Sequence, residues 1–330
     1  MAWGMALPRF AVGIDPLVRL LALAILLASL LPVTGEHRAI AEAVSNGAIF
    51  VLFLLNGLRL PRAEVLRGLR QMRLLMPLAL WSFGGMSLAG WALAEAGSAL
   101  QLVPTVALGL LFLGALPSTV QSATAYSSLA GGNVAVSVVA AAFLNILGVF
   151  LSAPLFSLLA GSGAAPFDLA ALQRIGLILL LPFLLGQLAQ GRAGRLVRDH
   201  RRLATWMDRL AIAIAVYVAF SAAVEQGLWQ SVGLSDWAAL LLLVGLFLAI
   251  GFGGAWLLGG TLRLARPDRI AFLFAGGQKS IALGAPLAAV LFPPAVAGLL
   301  LLPVLTYHLL QLVLSAPMAA RLNRASALPR

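Results

Sequence analysis

The sequence predicts an all-α integral membrane protein: ten transmembrane helices in two inverted five-helix repeats. Three observations carry that prediction. The chain is 62% hydrophobic and only 10% charged, against roughly half and a quarter in soluble proteins. Its basic residues alternate between loops as membrane topology requires. Two of its apolar stretches are interrupted by small and polar residues at matching places in the two halves.

Apolar runs fall at 15–34, 39–58, 74–95, 101–130, 133–160, 170–190, 206–226, 236–262, 269–291 and 295–320, most near the roughly 20 residues that cross a bilayer. The first reads as a retained span, with no small-residue cleavage site after it. Ten spans put both termini on one side, which charge can test. Arg9 and Arg19 accompany the first span. Arg59 to Arg73 separate the second and third, Arg192 to Arg209 the sixth and seventh, and Arg263 to Arg269 the eighth and ninth. Arg321 to Arg330 follow the tenth. Of the 22 basic residues only Arg38, Arg174 and Lys279 lie elsewhere. Loops rich in arginine stay in the cytoplasm, so the expected location is a bacterial inner membrane with both termini cytoplasmic. The formal charge of +11 therefore reads as orientation, not as a nucleic-acid surface. The 59–73 and 191–209 segments are partly amphipathic and are expected along the inner face. With no cysteine, thiolate metal sites and disulfides are excluded.

The halves repeat, at about 12–165 and 166–322. Val149-Phe150-Leu151-Ser152-Ala153-Pro154 is echoed by Leu312-Val313-Leu314-Ser315-Ala316-Pro317 at an offset of 163, which also aligns Asn145 with His308. Gln121-Ser122 aligns with Lys279-Ser280 at 158, and Arg19 with Arg174 at 155. Because each half holds an odd number of spans, the halves are inverted, an architecture of alternating-access carriers.

The interruptions are the candidate site. Pro117 removes a backbone donor and disfavours helix at Leu116, and Gly276 and Gly277 are expected to loosen span nine. Each break starts a half-helix with free amides and partial positive charge. Ser118, Thr119, Gln121, Ser122, Gln278 and Ser280 add neutral donors and acceptors suited to an ion or a polar substrate group. Lys279, the only lysine, falls near mid-membrane, where charge is costly and usually functional. No acidic residue falls mid-span to partner it; Asp208, for one, reads as part of an inner loop. Two readings stay open: a neutral amine, since desolvation disfavours the charged form, or a charged one paired with an anionic substrate. Asn145 and His308 flank the breaks from spans five and ten, with Tyr307 and Gln311 as neighbours of His308. Gly276-Gly277-Gln278-Lys279-Ser280 is no phosphate loop, which needs glycine directly before the lysine.

Leu116-Pro117-Ser118-Thr119-Val120-Gln121-Ser122, Gly132-Asn133-Val134-Ala135, Asn145 to Leu151, Gly277 to Gly284 and Tyr307-His308 together resemble the bile acid:sodium symporter superfamily (solute carrier family 10 type), in its divergent SBF-like branch. The likeness runs over residues 12 to 322. It implies panel and core domains, with spans four and nine crossing at their breaks. It also implies sodium held near Ser122, Asn145 and Gln278, with Gln278 matching a sodium-ligating glutamine. The position of the family's glutamate ligand falls at Phe274, and Lys279 follows the glutamine, so Lys279 is read as replacing one bound cation. The expected function is a secondary transporter, not an enzyme, for a small organic anion such as a bile-acid-like or sterol-like molecule. It needs no cofactor beyond a coupling ion, Na+ or H+. A membrane-embedded lipid-modifying enzyme and a non-transporting regulatory protein are the alternatives; oligomeric state is open.

Overall fold

Apolar residues fill each predicted run without period-2 alternation, and in the computed structural model most of the described residues of these runs are helical. The structure describes residues 15–59, 71–161 and 173–327, and no strand occurs among them. The predicted surface segment at 60–70, the start of span six and the junction of the two repeats lie outside the described residues.

Helix α1 (Pro16–Leu30) starts where Asp15 accepts from the Leu17 amide at 2.7 Å, with Pro16 in its first turn. That is a cap plus the one helical position where proline costs no bond. The next helices are α2 (His37–Arg59) and α3 (Met72–Ala99), the latter containing a π turn over Leu80–Gly85. The fourth predicted span is two helices, α4 (Pro104–Ala115) and α5 (Gln121–Leu129). Then come α6 (Val134–Ala160), N-capped by Asn133, and α7 (Leu181–Asp199), preceded by a π turn over Gly176–Leu180. Helices α8 (Arg201–Glu225) and α9 (Leu234–Thr261) follow. The ninth predicted span is again two helices, α10 (Arg266–Gly277) and α11 (Ile281–Leu291), and α12 (Pro294–Ala327) ends the fold.

Eight helices or helix pairs among the described residues are long and apolar enough to cross a membrane; α1 and α4 are shorter apolar helices. The protein is thus a multi-pass, all-helical membrane protein. Residues 191–209, expected along the inner face, are helical: α7 and α8 run through them and meet at His200, so Asp208 lies within α8 and not in a loop.

Helices α1, α2, α7 and α8 pack together, and α8 also packs on α11 and α12. On the other side α3, α4, α6, α9 and α10 surround the breaks. Close backbone approach holds both groups. A Cβ on Gly57 of α2 would lie 2.2 Å from the Phe183 carbonyl oxygen, and one on Gly186 of α7 would lie 2.3 Å from that of Leu54. At Gly90 of α3 and Gly114 of α4 a Cβ would lie 2.7 Å from the Leu110 and 2.6 Å from the Met86 carbonyl oxygen. Small residues allow such contacts where no hydrophobic drive joins helices in lipid. Two ion pairs tie α2 to α8, Arg38 with Glu225 and Arg59 with Asp208.

Candidate functional site

The first break follows Leu116, whose extended backbone ends α4, and the chain resumes helix at Gln121. Pro117 lies in this break as the sequence suggests, its ring packed so closely on α6 that a Cβ on Gly148 would meet it at 2.5 Å. The second break is displaced from its predicted place. Helix α10 runs through Gly276 and Gly277, and the extended residues are Gln278 to Ser280. The glycines serve packing: a Cβ on Gly277 would lie 2.7 Å from the Phe252 ring, and one on Gly276 would lie 3.1 Å from Trp81.

The breaks meet. The Ser280 amide donates to the Pro117 carbonyl at 2.9 Å, and the Ser280 hydroxyl caps α11 at the Leu283 amide. Gln278, wholly buried, accepts at Oε1 from Thr119 at 2.6 Å and from Ser122 at 2.7 Å, and its Nε2 donates to Ser315 at 3.1 Å. Thr119 and Ser122 are themselves 2.6 Å apart. Three mutually close oxygens thus share two hydroxyl protons. Asn145 donates from Nδ2 to the carbonyls of Ser118 (2.8 Å) and Ala141 (2.9 Å), joining α6 to the first break. The Ser118 side chain is buried and, among the described residues, reaches the Thr119 carbonyl at 3.4 Å.

Lys279 is 1% exposed. Its Nζ donates to three backbone carbonyls: Ser82 at 2.9 Å, Gly114 at 2.8 Å and Leu116 at 2.7 Å. An ammonium has three donors, so the set is saturated. Two of the carbonyls close the C-terminal end of α4, where a helix carries partial negative charge. The third belongs to the π turn of α3. No carboxylate is needed.

Helix α12 holds the second break from behind. Tyr307, Gln311 and Ser315, one helical turn apart, meet the Gly277 carbonyl (2.5 Å), the Lys279 backbone and the Gln278 amide in turn. Gln311 takes both Lys279 groups, accepting from its N–H at 2.8 Å and donating to its C=O at 3.0 Å. Gln311 Nε2 also lies 3.0 Å from His308 Nδ1. At the position expected for a glutamate ligand, Phe274 stacks on Tyr126 with ring centroids 6.0 Å apart.

A cavity of about 1090 Å³ opens beside this crossing. Gln121, Ser122, Asn145, Ser280 and His308 line it together with Thr119; Lys279 and Gln278 do not. Both half-helix starts, at Gln121 and Ile281, therefore face it. Phe53, Phe183, Ile146, Val149, Ile212 and Leu312 give it apolar walls. Arg59, Arg201, Asp208, Arg209 and Asp15 also line it. The sequence marked none of these five as site residues, nor Ser82 and Ser315. The spacing of Arg201, Thr205, Asp208, Arg209 and Ile212 along one helical stripe was the available signal for α8.

Residues 15–324 match the family model described as the SBF-like CPA transporter family. A Pseudomonas aeruginosa protein named "Uncharacterized protein PA2026" is 38% identical over 97% of this chain and 96% of its own length. An Escherichia coli K12 protein named "Putative symporter YfeH" is 35% identical over 94% and 93%. The mouse protein named "Sodium/bile acid cotransporter 7" is 22% identical over 83% and 81%. The chain belongs to the SBF-like CPA transporter family.

Proposed function

We propose that this member of the SBF-like CPA transporter family is a secondary transporter that carries an amphipathic organic anion by alternating access, coupled to an ion at the crossing of its two broken helices. One observation carries the reading: the breaks at 116–120 and 278–280 hydrogen-bond to each other at the wall of a cavity large enough for a drug-sized ligand. Irregular backbone survives at membrane depth only where protein or a cavity satisfies it. Two half-helix N-termini favour an anion there, as do Arg201 and Arg209, which outnumber Asp15 once Arg59 pairs with Asp208, and the apolar walls favour an apolar body behind it.

The ten-span inverted repeat is part of the proposal. It is supported by a helix pair at each break, followed in each half by a helix with an internal proline at equivalent places, Pro154 and Pro317. The arginine asymmetry supports cytoplasmic termini.

Sodium fits the residues present. A hard cation takes oxygen ligands, and Thr119, Ser122 and Gln278 bring three together with too few protons for their contacts. Asn145, in the same cavity wall, adds an Oδ1 that accepts no bond among the described residues. Sodium bound there would supply positive charge to those oxygens. Lys279 supplies a fixed cation to a separate set of three carbonyls, which supports reading its ammonium as a tethered substitute for a second ion, not as an anion receptor.

The experiment is uptake by the purified protein in liposomes. A radiolabelled bile acid and a panel of amphipathic monoanions would be offered, with sodium and pH gradients varied separately. Saturable accumulation driven by either gradient supports the reading; no uptake or exchange of any member opposes it. Loss of sodium drive in Gln278→Leu would identify the oxygen cluster as its ion site. Sodium drive that survives would remove the cluster from the mechanism.

A further inference from the structure

His308 is 5% exposed and lines the cavity, and its hydrogen bonding is decided by backbone groups two steps away. The Lys279 N–H can only donate and its C=O can only accept. Gln311 spans both, so its Oε1 must face the N–H and its Nε2 the C=O. The amide has no alternative orientation. The second hydrogen on Gln311 Nε2 then points at His308 Nδ1, 3.0 Å away. Nδ1 must therefore be an acceptor, and the ring a neutral imidazole carrying its proton on Nε2.

An imidazolium cannot make this contact. Its Nδ1–H would oppose the Gln311 N–H, donor against donor. A proton taken from the cavity must then either turn Gln311 away from the Lys279 backbone or swing His308 out of its place. Either movement alters the wall formed by Ser280 and the start of α11.

We propose that His308 is a proton-binding site of the transport cycle, and that Gln311 relays its charge state to the break between α10 and α11. This rests on the transporter reading above and adds a named proton site to it. Neutral His308 latches the break through Gln311; protonated His308 releases it. The charged groups lining the same cavity are Asp15 at the start of α1, Arg59 of α2, and Arg201, Asp208 and Arg209 of α8. Asp208 is paired with Arg59, and Asp15 caps α1. Helices α4, α5, α6 and α11 carry no charged residue, and the single one on α9, Asp236, accepts from the Gly233 amide. Tyr126 of α5 donates to the Leu312 carbonyl, and Lys279 is turned toward α3 and α4. No carboxylate competes with Gln311 for Nδ1.

The test needs no transported substrate. The chain has three histidines, so the full-length protein labelled with ¹⁵N-histidine gives three imidazoles, and His308→Gln assigns the third. At neutral pH the His308 ring should show a bare Nδ1 and a protonated Nε2. On acidification its titration should coincide with faster hydrogen exchange at the Lys279 amide, by about tenfold, as expected for the loss of one ordinary hydrogen bond. In Gln311→Met the ring should still titrate while exchange in the 277–280 segment no longer follows it. An Nδ1–H tautomer in wild type, or a titration that leaves exchange at Lys279 unchanged, overturns the proposal. Should His308→Gln fail to fold, His37→Gln and His200→Gln, both at exposed positions, assign the His308 ring by elimination, and both wild-type readouts stand. If they hold and no anion is ever carried, the transporter reading fails while the latch survives. If pH-driven uptake occurs and the latch is absent, only the latch fails.

Discussion

Replacing Lys279 with methionine keeps the stem and removes the ammonium, leaving the carbonyls of Ser82, Gly114 and Leu116 buried without that donor. Gly114 keeps a long contact from the Ser87 hydroxyl at 3.3 Å. Leu116 ends its helix, and no residue continues the α4 ladder to it. An unmet buried acceptor costs about 1 to 3 kcal/mol; with Leu116 left unmet, Gly114 only partly met and Ser82 deprived of the ammonium, the loss should be about 3 kcal/mol. At roughly 2 °C per kcal/mol for a large chain, the melting temperature should fall by about 6 °C. Tryptophan fluorescence during heating of the detergent-solubilised protein reads this directly. A sharper version uses Lys279→Ala, which also opens the space that the side chain filled. Ammonium or methylammonium should then raise the melting temperature of the alanine variant and leave wild type unmoved. If Lys279→Met melts within about 1 °C of wild type, the carbonyls do not depend on the ammonium and the tethered-cation argument is wrong. An alanine variant indifferent to both cations would say that the vacated cage does not select a cation.

Two further outcomes follow from packing and hydrogen bonding. Gly57→Ala should destabilise by about 1 to 3 kcal/mol through overpacking, because its Cβ would enter the Phe183 carbonyl; Gly191→Ala, with open space around it, should not, and thermal unfolding compares them. Asn145→Ala strips the Ser118 carbonyl of its donor and should cost about 1 to 3 kcal/mol in the same assay. An unchanged melting temperature would show that the first break holds without α6.

The apolar helices and the first break were legible because both are written in side chains: apolar runs and a proline that cannot donate. The second break was placed too early because a glycine pair reads the same whether it loosens a helix or admits a neighbour. Only the Phe252 and Trp81 rings, brought from other helices, decide that Gly276 and Gly277 do the second. Lys279 was legible as singular but not in its partners. A search for a carboxylate misses three carbonyls, since every residue has one and only the fold chooses which are free. Gln311 was noticed as a neighbour of His308, but its grip on the Lys279 backbone depends on how α12 crosses the break. The cavity arginines on α8 were assigned to a loop because the helix begins earlier than its apolar run.

The π turn in α3 has an effect beyond the carbonyl it turns toward Lys279. A π turn holds one residue more than an α-helical turn, and each residue of an α-helix advances about 100° around the axis. Everything after Gly85 is therefore rotated by roughly that angle from where an uninterrupted helix would carry it. Met86, Gly90, Leu93 and Gly97 all lie on the buried side of α3. That face, including the glycine that touches Gly114, owes its phase to the inserted residue. A single deletion within Leu80–Gly85 would leave the composition of α3 almost unchanged. It would let an unbroken α-helix carry Gly90 to the same contact, whereas closing the π turn with every residue kept would turn Gly90 away from α4. Helical phase, not hydropathy, is what this stretch of sequence encodes.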